Sequence, residues 1–106
     1  MPFVDVDGLP EQNPIPGYHA RFVHSEHMTV AFWTVAADAP LPEHRHPHEQ
    51  IASVVAGKYE LVVGGETRVL TPGMVAVIPS NVPHSGRALT DCELMDVFHP
   101  VREEYR

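Results

Sequence analysis

Apolar side chains along this chain recur every second residue, in short runs cut off by proline, glycine and aspartate. An extended strand sends successive side chains to opposite faces, so this alternation marks strands buried on one side. The pattern predicts strands near 19–24, 27–36, 43–47, 50–56, 58–63, 66–70, 74–78, 84–89 and 92–98. Gly64-Gly65 between YELVV and ETRVL is a two-residue hairpin signal, Thr71-Pro72-Gly73 a second turn and Thr90-Asp91 a third. No stretch of useful length carries the helical period. Eight or nine strands in roughly 80 residues imply an all-β closed sandwich or jelly roll. Residues 1–17, MPFVDVDGLPEQNPIPG, read as an N-terminal arm, because proline and glycine leave little room for regular structure. Residues 18–106 are then the barrel domain, ending at 99–106 in a polar tail or a short helical turn.

Composition narrows the class. A chain of 106 residues makes one domain with a single core. Its net charge of −7 leaves no basic patch for nucleic acid or an anionic membrane. The lone Cys92 excludes an intramolecular disulfide and suits a reducing compartment. The acidic, proline-rich start lacks the basic and apolar segments of a secretion signal, and no window reaches membrane-spanning length. A soluble, cytoplasmic protein is the expectation.

Candidate chemistry concentrates in His44-Arg45-His46-Pro47-His48-Glu49-Gln50, with His84 following Pro83 downstream. Imidazole is the commonest metal ligand, and in an extended segment His44, His46 and Gln50 share one face. His84 can complete a ring from a distant strand. Three imidazoles and an oxygen suit one divalent ion among Zn, Ni, Fe, Co and Mn. Pro47 disturbs strict alternation, so Glu49 and His48 stay open as replacements for Gln50. The bland alternative is that eight histidines in 106 residues merely fall close together. His19, His24, His27 and His99 read as surface or structural. Toward the C-terminus, alternation puts Leu94, Asp96 and Phe98 on one face. If that face lines the barrel, Asp96 is an acid in an apolar setting, Phe98 a flat wall, and Arg102 a carboxylate clamp. If it does not, Asp96 is an exposed strand carboxylate, Phe98 plain core and Arg102 a solvated charge.

HRHPHEQIASVVAG resembles the first motif of the cupin superfamily, with His44 and His46 as its paired histidines, Gln50 at the usual glutamate position and Gly57 closing it. GMVAVIPSNVPH resembles the second, with Gly73, Pro79 and the ligand His84. Asp38, Asn81 and Ala88 depart from the usual Gly, Gly and Asn, at positions that shape turns. Gln50 removes a negative charge and so leaves a bound metal a stronger Lewis acid. The resemblance implies a double-stranded β-helix with a metal inside the barrel.

A closer likeness spans roughly residues 17–105. PHEQ, GGETRVL, PSNVPH and DVFHPVREEY are similar to the KdgF family of pectin-degradation cupins, with His99 where Ser is common. That family linearises the 4,5-unsaturated uronate monosaccharide released by pectin and alginate lyases to 5-keto-4-deoxyuronate. The resemblance implies His44, His46, Gln50 and His84 as metal ligands and Asp96, Phe98 and Arg102 as functional residues. A cupin dioxygenase and a non-catalytic sugar-binding cupin are the alternatives. A small-molecule uronate is the expected partner, and the arm offers a route to a homodimer.

Overall fold

The computed structural model describes residues 2–106 and contains ten strands. They are β1 (Gln12–Ile15), β2 (Tyr18–His24), β3 (Thr29–Val35), β4 (Pro40–His44), β5 (Glu49–Ala56), β6 (Tyr59–Val63), β7 (Glu66–Leu70), β8 (Val75–Ile78), β9 (His84–Ala88) and β10 (Cys92–His99). Single 3-10 turns lie at Val6–Gly8 and Glu103–Tyr105. A six-stranded antiparallel sheet, β1-β2-β3-β10-β5-β8, packs on a four-stranded one, β4-β9-β6-β7. The architecture is the all-β jelly roll that the alternation implies. Among the described residues, no helix is long and apolar enough to cross a membrane.

Two elements differ from the sequence expectation. Inside the expected arm, residues 12–15 form β1 and pair with β2. The Asn13 amide accounts for this: it donates to the carbonyls of Ile15 (2.9 Å) and Tyr18 (2.6 Å), pinning the hairpin across its turn. Pro14 is tolerated because β1 is an edge strand. The strand expected at 43–47 instead runs from Pro40 to His44, and residues 45–48 are irregular. As an edge strand β4 needs hydrogen bonds on one side only, so Pro40 and Pro42 do not stop it.

The turns follow from local chemistry. Gly64 and Gly65 have φ of 54° and 85°, the left-handed pair that a tight hairpin requires. Asp38 and Asn81, which stand where related motifs carry glycine, are the two non-glycine residues with positive φ among the described residues, at 68° and 63°. Asp and Asn tolerate that region better than other side chains, which explains how the turns survive without glycine.

Alternation buries Ala31, Trp33 and Val35 of β3 against Leu61 and Leu70 of the facing sheet and leaves Val55, Val75 and Val77 outside. Between the sheets runs a cavity of about 310 Å³. Register fixes its rungs. Phe98 lies opposite Gln50, Asp96 opposite Ala52, and Leu94 opposite Val54, two residues or roughly 7 Å apart along the strand. On the facing sheet His84 pairs with both His44 and Val63, which places the histidines at the Phe98 end.

Candidate metal centre

His44 ends β4, His84 begins β9, and His46 sits in the loop that follows β4. The three still converge: ring centroids are 4.2 Å apart for His44 and His84, 4.9 Å for His46 and His84, and 5.6 Å for His44 and His46. One nitrogen from each lies within 4.8 Å of the others. Strand parity does not bring His46 here, since the chain has already left the strand. A hydrogen bond from its own ring to the carbonyl of His48, at 3.0 Å, folds the loop inward instead.

The same device recurs at each ring. Nδ1 of His44 contacts the Pro42 carbonyl at 2.9 Å, and Nδ1 of His84 the Val82 carbonyl at 2.9 Å. A carbonyl only accepts, so each Nδ1 carries a proton, and in the neutral ring Nε2 keeps its lone pair free. Nε2 of His84 is buried with no hydrogen-bond partner. Nε2 of His46 lies 3.2 Å from Oε1 of Gln50. Burial, reinforced by the nearby Arg102 charge and by His84, holds the His46 imidazole down to about 4, so it is neutral near pH 7. His84 is lowered as well, again chiefly by burial. Three imidazole nitrogens oriented by carbonyls, with an amide oxygen beside them, fit a borderline divalent ion. Gln50 is buried at the cavity wall, Glu49 is exposed on the outer side, and His48 supplies its carbonyl rather than its ring.

Asp96, Phe98 and Arg102 line the same cavity. The Asp96 carboxyl is enclosed by protein yet opens onto the cavity, and burial raises it from 3.8 to about 6. The Gln50 and Trp33 side chains and the Arg102 charge work in the opposite direction. Arg102 is 7% exposed, an unusual position for a residue so near the chain end. Its guanidinium carbon lies 4.7 Å from the ring centroids of both Phe98 and Tyr105, its Nη2 binds Glu104 Oε2 at 3.0 Å, and its Nε is buried unpaired. Its backbone N–H donates to Thr29 Oγ1 at 2.8 Å.

Sequence reasoning missed Tyr105, Tyr18 and Tyr59, while His24, read as surface or structural, proves structural. Tyr105 closes the aromatic sandwich and stacks on Phe22 at 4.2 Å. His24 bridges Thr29 Oγ1 (2.8 Å) and the Tyr105 carbonyl (3.1 Å), tying the C-terminal turn to the barrel. Tyr18 and Tyr59 join hydroxyls at 2.7 Å at the inner end of the cavity. Apart from His24 with Thr29, five positions apart, these contacts link residues 41 to 83 positions apart, so no local pattern announces them. His19 pairs with Glu11 and His27 with Glu26 at the surface, away from the ring.

Comparison with known proteins bears on the family and the fold. The cupin domain family matches residues 31–98. The pectin degradation protein KdgF of Dickeya dadantii is 38% identical over 64 residues, 58% of each chain. The solved structure of KdgF from a Halomonas species superposes with a TM-score of 0.92, at 29% identity over 98% of this chain and 97% of that one. An RmlC-like cupin of Shewanella frigidimarina superposes at 0.94 with 24% identity, over 100% of this chain and 96% of that one, a likeness of fold.

Proposed function

The chain belongs to the cupin domain family, and on that footing we propose that it is a metal-dependent enzyme of pectin and alginate breakdown that converts 4,5-unsaturated uronate monosaccharides to linear 5-keto-4-deoxyuronate. The observation that carries this reading is the shared cavity: His44 and His84 of the ring of imidazoles, the Gln50 amide, a carboxyl near 6 and a buried guanidinium all line one volume. The likeness to KdgF, in structure over 98% of this chain and in sequence over 58% of it, supports a role in pectin breakdown.

His44, His46, Gln50 and His84 hold one divalent ion, which when bound supplies Lewis-acid polarisation of the substrate's oxygen atoms. Arg102 receives the substrate carboxylate. Clamped between Phe98 and Tyr105, its guanidinium is pre-set in orientation, so little rotamer freedom is lost on binding. Phe98 covers one face of the sugar and excludes water. Asp96 lies one rung inward and moves the protons. It takes the proton of the anomeric hydroxyl as the C1–O5 bond breaks to give the aldehyde and a C5 enolate, then gives that proton to C4 as the enolate becomes the ketone. An acid near 6 suits both roles, since it gives up and regains a proton close to neutral pH.

The test is direct. Metal-loaded protein is incubated with 4,5-unsaturated uronate and the conjugated absorbance is followed with and without chelator. Loss of absorbance that chelator abolishes is expected, with no oxygen uptake. Oxygen consumption would instead identify a dioxygenase, and binding without loss of absorbance a sugar-binding module.

A further inference from the structure

We infer that the inner half of the cavity is a second subsite, shaped for the hydrocarbon part of a carboxylate whose head binds at Arg102. The inference rests on the reading that Arg102 receives a carboxylate, and it widens the class of ligand beyond uronates.

The two halves of the cavity differ in kind. At the outer end stand His44, His84, Gln50, Asp96 and Arg102. Past Asp96 the walls are Leu41, Val54, Leu61, Leu70 and Leu94, contributed by five different strands. Most polar atoms at that depth are already engaged. Tyr18 and Tyr59 bond each other at 2.7 Å, with Tyr18 also on the Ala39 carbonyl at 3.1 Å. Ser53 Oγ donates to the Met95 carbonyl at 2.9 Å, and the Trp33 N–H, buried without a strict hydrogen-bond partner, is turned to the Asp96 carboxyl.

A hydroxyl carried into this half would leave its water partners and find none, which weakens binding by roughly tenfold for each such group. A trihydroxylated uronate therefore gains nothing there and is served by the outer half alone. A saturated ring or short branched chain has no such cost, and it removes the apolar wall from contact with water. The ligand that uses the whole cavity is a carboxylate joined through a short linker to a hydrocarbon ring.

The chain provides its own reporter, because Trp33 is its one tryptophan and it lines the cavity. Metal-loaded full-length protein is titrated with propanoate and with 3-cyclohexylpropanoate while Trp33 fluorescence is followed. The cyclohexyl acid is expected to bind at least about tenfold more tightly than propanoate, which supplies only the head. Val54→Phe, which fills the inner half, is expected to bring the two affinities together. In case that variant does not fold, nuclear Overhauser contacts from cyclohexyl protons to leucine methyl groups of the unmodified protein are expected independently. Equal affinities, or a cyclohexyl acid without such contacts, overturn the inference alone. If neither acid binds and Arg102→Met changes nothing, the carboxylate reading of Arg102 falls and the inference falls with it.

Discussion

His46 Nε2 and Gln50 Oε1 face each other at 3.2 Å with no proton between them, because the His46 proton is committed on the other side of the ring to the His48 carbonyl. Two acceptors at that separation repel unless a cation lies among them. Elemental analysis is therefore expected to find one divalent ion per chain in protein loaded and then desalted. His84→Ala should lose that ion while keeping its strand circular-dichroism spectrum. Chelation should lower the Tm, since an ion at about a hundred times its Kd stabilises by about 2.7 kcal/mol. An unchanged Tm after complete ion removal would contradict the assignment.

Asp96→Asn separates chemistry from stability. Turnover of unsaturated uronate should be abolished while the ion stays bound. In metal-free protein the folded state holds the Asp96 proton from 3.8 up to about 6, so the contribution of Asp96 to stability is greatest below about pH 4 and is lost as pH rises through 6. The Asn variant should lack this decline and be more stable at pH 7, by on the order of 1–3 kcal/mol. Urea midpoints between pH 4 and 8 measure it. A wild-type rate in Asp96→Asn would remove the proton-carrying role.

His46 has the opposite sign. Its folded pKa of about 4 lies below the ordinary 6.5, so the unfolded chain takes up a proton that the folded one refuses. Its contribution makes metal-free protein lose stability as pH falls from 6.5 toward 4. His46→Gln should be flatter over that window in the same urea series, and a slope equal to that of the parent would refute the assignment.

Arg102→Lys keeps the charge but loses the flat face between Phe98 and Tyr105. We expect KM for the uronate to rise about tenfold or more, with a smaller change in kcat, because a point charge cannot reproduce the stacked fork. Steady-state kinetics decide this, and an unchanged KM would show that Arg102 does not bind the carboxylate.

Two turn glycines should respond differently to alanine. At Gly57 (φ 89°) a Cβ would fall 2.3 Å from the Asp91 carbonyl oxygen, whereas at Gly65 (φ 85°) nothing lies within 4 Å. Gly65→Ala should cost about 1 kcal/mol for the left-handed backbone alone. Gly57→Ala should cost more than twice that, because backbone must move as well. Equal urea midpoints would contradict the close packing at Gly57.

Much of this was legible from alternation and turn chemistry. The hairpin at Gly64-Gly65 and the inward side of Asp96 and Phe98 follow from period two. The histidine cluster was legible as a set, though not for the reason parity offers: His46 lies in a loop and reaches the ring through a carbonyl two residues on. Arg102 shows where sequence stops speaking. Its burial depends on Tyr105, Thr29 and Phe98, and through Thr29 on His24, contacts that exist only once the barrel has closed. β1 was missed because Asn13 does its work across a turn, where composition alone reads as an arm.

The placement of proline also governs how either sheet could grow. Each sheet ends in two edges, β1 and β8 for the larger and β4 and β7 for the smaller. Pro14 lies in β1, and Pro40 and Pro42 in β4, so those edges lack a full row of N–H groups to offer a newcomer. The edges β7 and β8 contain no proline and follow one another through the turn at 71–74. One flank of the sandwich is thus sealed against strand addition and the other is not, which gives the molecule a polarity for any edge-to-edge self-association.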